Sequence, residues 1–250
     1  MQIELQELTF KYGAQVVLEK VNFLLKSQQR TVLMGPSGQG KTTLLKILAG
    51  LLQPQSGQVL VDGKVLASQP RDKQMQWRRK VGMLFQKNAL FDSLSCSNNV
   101  AFPMRETTNL AESEIIERVD YFLDSVGLSH AKNLLPHEIS GGMQKRLGIA
   151  RALALDPLLC LYDDPTAGLD PITSRSIIEL IIQYQKKNAS SLVAVVNDVN
   201  RAFQLATDIF FVSNQQIIYT GNPQQTQVHP DLRVQQFIQG LASGPLSESL

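Results

Sequence analysis

The sequence predicts an α/β fold. It has a mostly parallel core sheet, an N-terminal antiparallel β subdomain and an inserted α-helical subdomain. Three observations carry this expectation. Short apolar runs alternate with helical patterns through much of the chain, the arrangement that builds parallel sheets. A glycine-rich run sits between one such strand, Thr31-Val32-Leu33-Met34, and a helix beginning at Lys41. A mostly helical stretch at about 95–150 interrupts the alternation.

Composition sets the outer bounds. The chain has 250 residues, 43% of them hydrophobic, with a net charge of +2. At roughly 150 residues per domain this is one or two domains with ample material for a core. A charge so near zero predicts no nucleic-acid footprint. Cys96 and Cys160 stand in no metal-ligand pattern and read as free thiols of a reducing compartment. No apolar run approaches the ~18–20 residues of a membrane span. Met1-Gln2-Ile3-Glu4 lacks the basic and apolar regions of a signal peptide. The expectation is a cytoplasmic chain that can still work at a membrane through a spanning partner.

The elements follow in order. Ile3, Leu5, Leu8 and Phe10 mark a half-buried strand that ends at Lys11-Tyr12-Gly13, and Val16 to Leu25 is a second strand. The helix from Lys41 is expected to reach Leu52, with Leu44, Leu45, Leu48 and Leu51 apolar, and to close in the turn Gln53-Pro54-Gln55-Ser56-Gly57. Val59–Val65 and Val81–Phe85 read as strands. Glu112–Val126 is the clearest helix, with Ile115, Ile116, Val119, Phe122 and Leu123 on one face. Strands are expected at 158–163, 191–196, 209–213 and 216–219, with a helix at 172–186. Residues 221–231 read as a linker, 232–241 as a short amphipathic helix, and 243–250 as a frayed end.

Gly35-Pro36-Ser37-Gly38-Gln39-Gly40-Lys41-Thr42 fits G-x-x-x-x-G-K-S/T in the strand-to-helix context that confirms a phosphate loop. Glycines let successive N–H groups point inward at phosphate oxygens, and the helix N-terminus adds positive potential. Lys41 supplies a point charge for the outer phosphates. The Thr42 hydroxyl can ligate Mg2+, and Thr43 continues the loop into the helix. The run Leu158-Leu159-Cys160-Leu161-Tyr162-Asp163-Asp164 brings two acids to the carboxyl edge of the sheet. Asp163 is the expected Mg2+ partner. Taken in isolation, Asp163-Asp164-Pro165-Thr166 also reads as a solvated turn.

Ile139-Ser140-Gly141-Gly142-Met143 resembles the signature of the ATP-binding cassette ATPases, although that motif normally ends in Gln. The other parts stand in the family's order. Gln86 looks like the Q-loop glutamine, a catalytic and metal-contacting position, and Ala167-Gly168-Leu169-Asp170 looks like the D-loop. Tyr12 sits where the family keeps an aromatic that stacks on adenine. The match covers nearly the whole chain. It implies a P-loop ATPase fold over residues 1–220, with residues 221–250 as linker and partner-binding tail. It also implies ATP and Mg2+ as cofactors and a head-to-tail dimer with a second copy. Ser140, Gly141 and Gly142 would bind the partner copy's γ-phosphate, since a helix N-terminus is an anion site. Ser140 is equally a good helix N-cap and can serve as both.

Leu90-Phe91-Asp92-Ser93-Leu94, Asn99-Val100-Ala101-Phe102-Pro103 and the tail Val234–Leu241 resemble a narrower branch, the ATPases of bacterial maintenance-of-lipid-asymmetry transporters. That resemblance implies phospholipid transport between inner and outer membranes and a place on the cytoplasmic face of the inner membrane. The implied partners are an integral-membrane permease, a periplasmic lipid-binding subunit and a small cytoplasmic regulator on the tail. Residues 232–241 read equally as an ordinary amphipathic helix on their own domain.

The sequence departs from the family at two catalytic positions. Asp164 stands where Glu is usual, and Asn197 stands where the switch histidine is usual. His130, His137 and His229 lie elsewhere and read as surface or loop residues. The expectation is an ATPase with reduced turnover. The alternative is an ATP-binding regulatory or structural subunit with negligible hydrolysis. A soluble ATPase of DNA repair or translation fits less well, because the chain has no coiled-coil insertion or tandem domain.

Overall fold

Alternation of buried and exposed positions in the first 25 residues folds β1 (Ile3–Tyr12) and β2 (Gln15–Leu25) into an antiparallel hairpin that turns at Gly13. The structure, a computed structural model, describes residues 1–247. β3 (Arg30–Met34) leaves this hairpin for a second sheet and runs into α1 (Lys41–Leu48). The chain then returns to the first sheet through β4 (Ser56–Val61) and β5 (Lys64–Val65). The first sheet has the order β2-β1-β4-β5.

Two expectations in this region change. α1 stops at Leu48, because Gly50 takes a left-handed φ of 70° and the Gly50 N–H turns back to Ile47 O. The single strand expected over 59–65 is a hairpin, broken where Asp62 and Gly63 both take positive φ, the conformation of a two-residue turn. A helix not anticipated, α2 (Arg71–Arg79), follows. Its Trp77 is buried and donates to Leu48 O.

The second sheet gathers β6 (Val81–Leu84), β7 (Leu159–Asp163), β8 (Ser191–Val195), β9 (Asp208–Ser213) and β10 (Gln216–Gly221) around β3 in the order β10-β9-β3-β8-β7-β6. All neighbours are parallel except β10, which pairs antiparallel with β9 at one edge. Period-2 alternation sends side chains to two cores. Leu33, Leu161, Val193 and Phe210 face α1 and the β1–β2 hairpin. Val32, Tyr162, Ala194 and Phe211 face the helices on the other side.

The inserted helical unit consists of α3 (Cys96–Thr107), α4 (Glu112–Ser125) and α5 (Gly141–Leu153). On α4, Ile115, Val119, Phe122 and Leu123 are buried, but Ile116 is not. α5 lies close on β6. A Cβ on Gly148 would meet Leu84 Cδ1 at 2.7 Å, and one on Gly82 would meet Ala152 O at 2.1 Å. α6 (Pro171–Asn188) begins behind an Asp170 N-cap. α7 (Val199–Leu205), also unanticipated, begins behind Asp198.

Within the expected linker the structure has α8 (Pro223–Gln227), whose buried Thr226 bonds to Thr220 at 2.8 Å. α9 (Leu232–Gln239) seats Val234 in the core and sets Phe237 edge-on to Phe211. The segment expected to fray from Ser243 folds back onto α9. Gln236 accepts from Leu246 N and donates to Ser247 Oγ, both at 2.8 Å. Residues 248–250, part of that expectation, lie outside the described residues. No helix among the described residues is long and apolar enough to cross a membrane.

Candidate functional site

Four neighbouring strands, β3, β8, β7 and β6, end at one edge of the parallel sheet. Their carboxyl ends deliver the glycine-rich loop, Asn197, the Asp163-Asp164 pair and Gln86 respectively. A cleft of about 410 Å³ opens there, lined by Tyr12, Ser37, Gly38, Lys41, Thr42, Gln86, Asp163, Asp164 and Asn197, with Gln15, Gly40, Thr43, Val17 and Val195. The carboxyl edge is where open α/β sheets bind ligands.

The loop needs its glycines at specific places. Gly40 has φ 93°, and a Cβ there would meet Val17 Cγ1 at 2.7 Å. Gly35 has φ 133°, and its Cβ would fall 2.2 Å from Val212 O. These close approaches pin the loop between β2 and β9. Gln39 turns away from the cleft and accepts from Asn214 N at 2.8 Å. The Gly35 and Pro36 carbonyls accept from Lys41 Nζ at 2.6 and 2.7 Å, which holds the ammonium inside its own loop. Burial lowers the Lys41 pKa to about 8, against the pull of Asp163 and Asp164.

Thr42 Oγ1 donates to Asp163 at 3.0 Å, so a hydroxyl and a carboxylate stand side by side. An all-oxygen pair of this kind fits Mg2+, and the Gln86 side chain borders the same cleft. Burial raises the Asp163 pKa, opposed by its bond from Thr42 and by Lys46, Lys145 and Lys41. Asp164 takes a left-handed φ of 50°, a conformation Asp tolerates better than most residues. Its N–H donates to Val195 O at 3.0 Å, and its Oδ2 accepts from Asn197 Nδ2 at 2.6 Å. Burial raises the Asp164 pKa as well. The Asn197 bond, Lys145 and Arg201 oppose the rise, and Asp163 adds to it.

Tyr12 borders the cleft, whereas Ser140, Gly141, Gly142 and Asp170 lie outside it. Tyr12, half-exposed at the cleft mouth, meets Phe10 edge-on with centroids 4.9 Å apart. Ser140 caps α5 by accepting from Met143 N at 3.3 Å. Ser140, Gly141 and Gly142 do not line the cleft. Gly142 stands beside α6 and the loop before it, where a Cβ would meet Thr173 Cγ2 at 3.3 Å and Leu169 Cδ2 at 3.8 Å. Asp170 accepts from Ile172 N and Thr173 N, both at 2.9 Å, as the cap of α6.

Two residues near the cleft belong to no motif in the sequence. Buried Lys145, on α5, donates to Gln86 O at 3.0 Å. Arg201, on α7, donates to Thr166 O at 3.1 Å and Leu169 O at 3.3 Å. Lys145 had no local signal. Arg201 had a faint one, its place three residues after the capping Asp198.

The comparisons with known proteins agree with this arrangement. The sequence pattern of the ABC transporter family matches residues 18–167. The intermembrane phospholipid transport system ATP-binding protein MlaF of Haemophilus influenzae is 41% identical over 98% of this chain and 92% of its own length. MlaF of Escherichia coli is 35% identical over 98% of this chain and 91% of its own. A probable ribonucleotide transport ATP-binding protein of Mycobacterium leprae is 36% identical over 99% of this chain and 71% of its own.

Among solved structures, cbiO1 of Clostridium perfringens, part of the ABC transporter complex cbiONQ, superposes with a TM-score of 0.82 at 30% identity, covering 91% of this chain and 90% of that one. The dimeric cassette MJ0796 in a post-hydrolysis state with ADP and Pi superposes at 0.79 and 30% identity, covering 86% and 96%. The family pattern over residues 18–167 and 41% identity to a relative over nearly the full length show that the chain belongs to the ABC transporter family as an ATP-binding subunit.

Proposed function

We propose that this chain hydrolyses Mg-ATP to drive phospholipid transport between the inner and outer membranes. In this reading it lies on the cytoplasmic face of the inner membrane beneath an integral-membrane permease. The observation that carries the ATPase reading is the convergence of the glycine-rich loop, Gln86, Asp163, Asp164 and Asn197 on one cleft, with the signature helix N-terminus outside it. A signature without phosphate of its own supports a composite site, in which Ser140, Gly141 and Gly142 of one copy face the nucleotide of a second. The phospholipid assignment rests on the identity to MlaF over nearly the full length.

Each residue then has a task. Loop N–H groups and Lys41 hold the phosphates, and Tyr12 stacks on the base. Thr42 and Asp163, with Gln86, would hold Mg2+, which would supply positive charge to the phosphoryl oxygens when bound. Asp164 orients and deprotonates the attacking water. Asn197 holds Oδ2 of Asp164 and leaves Oδ1 for that water. Asp is one methylene shorter than the family's Glu, so turnover is reduced but real. Asp170 and the loop before it face the second copy. Closure around ATP is transmitted through Gln86 and the helical unit to the permease, and hydrolysis releases it. The subunit without hydrolysis is not favoured, because the cleft retains an acid paired to an amide at the catalytic position.

Residues 221–250 form, in this proposal, the part that meets a small cytoplasmic regulator, with a periplasmic lipid-binding subunit completing the complex. The tail's apolar residues divide between two jobs. Val234 and Phe237 pack on the chain's own core, whereas Val228, Leu232 and Leu241 are exposed and available to a partner. The test is to purify the chain from membranes in mild detergent and reconstitute the complex. ATP-dependent phospholipid transfer between vesicles supports the proposal. Robust ATP hydrolysis without lipid transfer, or a complex lacking a permease, contradicts the transport assignment.

A further inference from the structure

The seven residues from Asp164 to Asp170 join the two ends of the site. Asp164 stands in the cleft, and Asp170 caps α6 on the face beside the signature. The segment is held at its start by Asp164 N–H on Val195 O and by Asn197 on Oδ2. Its end is held by the Asp170 carboxylate on Ile172 N and Thr173 N. Its middle contains Gly168 at φ 74°, a left-handed conformation that glycine adopts without a Cβ penalty.

One side chain spans that middle. The Arg201 guanidinium donates from Nη1 to Thr166 O at 3.1 Å and from Nη2 to Leu169 O at 3.3 Å, bracketing Ala167-Gly168. Arg201 is itself fixed in the first turn of α7. Its N–H donates to Asp198 Oδ1 at 2.9 Å, and its Nε lies 4.0 Å from Asp198 Oδ2. Asn197 and Arg201 therefore come from one short run, Asn197-Asp198-Val199-Asn200-Arg201, and grip the same segment at two points.

We infer that Arg201 is a positioning residue that locks the Asp164–Asp170 segment to the start of α7, so that Asp164 and the face meeting a second copy keep one geometry. This rests on the proposed role of Asp164. The planar fork is the useful property. Two donors in fixed planar relation reach two carbonyls three residues apart, a geometry that a lysine ammonium, donating from a single atom, does not reproduce.

The experiment compares wild type, Arg201→Lys, Arg201→Met and Asp164→Asn as full chains assembled with their permease. It measures ATP affinity, thermal midpoint and the single-turnover hydrolysis rate from pH 6 to 9. A geometric error of about 1 Å costs on the order of 10²-fold in rate. Both Arg201 variants should therefore lose about tenfold to a hundredfold in hydrolysis, with ATP affinity within about twofold of wild type. Arg201→Lys keeps the charge and the pH profile, yet is not rescued in rate. Wild-type hydrolysis in Arg201→Met overturns the inference. So does full rescue in Arg201→Lys, since charge alone would then suffice, and so does a loss of affinity and midpoint in parallel with rate. If Asp164→Asn also hydrolyses at the wild-type rate, the reading of Asp164 itself has failed. If only Asp164→Asn is slow, the failure is confined to Arg201.

Discussion

Asn197 and Asp164, 33 residues apart in sequence, are joined by a 2.6 Å bond from the Asn197 amide to Asp164 Oδ2. The two catalytic positions that the resemblance marks as unusual are thus one physical unit. An amide donates without carrying a proton in exchange, so Asn197 can orient Asp164 but cannot relay its proton. Asn197→Ala should slow single-turnover hydrolysis by about tenfold or more while leaving ATP affinity unchanged, since base positioning contributes roughly 10²–10⁴ in rate. The double replacement Asp164→Glu with Asn197→His should exceed wild type. Equal rates for wild type and the double variant would show that the departures are neutral.

Lys41 makes nucleotide binding dependent on pH. Burial lowers its pKa to about 8. Phosphates beside it favour the ammonium, so binding raises that pKa and takes up a proton wherever the free chain has lost it. Affinity should weaken as pH rises through 8. Calorimetry in buffers of different ionisation enthalpy should show proton uptake per bound ATP growing between pH 7 and 9. Uptake that stays at zero across this range contradicts the assignment. Lys41→Ala should weaken binding strongly, because charge-assisted bonds are the strong ones.

Ser140 caps its own helix yet stands outside its own cleft. Ser140→Arg should leave ATP binding to the isolated chain nearly intact and abolish ATP-induced dimers in light scattering. An equal loss of binding by the isolated chain would mean that the site is not shared between copies.

The tail separates fold from docking. Val234 is fully buried, whereas Leu232 is 69% exposed. Val234→Ala should destabilise the chain by about 2 kcal/mol, the scale of a buried large-to-small change. Leu232→Glu should leave the thermal midpoint unchanged and reduce co-purification of the partner. Unchanged co-purification would place the partner elsewhere.

The parts of the site legible in the sequence are those that local chemistry specifies. Gly35–Thr42 is contiguous, its glycines answer to backbone geometry, and its flanking strand and helix are read from short apolar patterns. Asp163 and Asp164 are legible because an apolar strand runs straight into them. The Asn197–Asp164 pairing and the reach of Arg201 to Thr166 and Leu169 were invisible, since they depend on β7 and β8 lying side by side. The missed helices were too short or too polar to show a stripe. α2 buries only Trp77, α7 has seven residues and α8 has five. Asp62-Gly63 was overridden by the apolar residues around it, although that dipeptide is a strong turn signal.

In the proposed function Asp164 activates the water in a cleft that binds Mg-ATP. Its most direct test is single-turnover hydrolysis by the complete transporter complex, wild type beside Asp164→Asn, with bound nucleotide quantified at each time point. Wild type should convert bound ATP to ADP and phosphate. Asp164→Asn should retain ATP at wild-type affinity and turn it over about 10²- to 10⁴-fold more slowly. Equal rates for the two proteins, or no conversion by wild type, would contradict it.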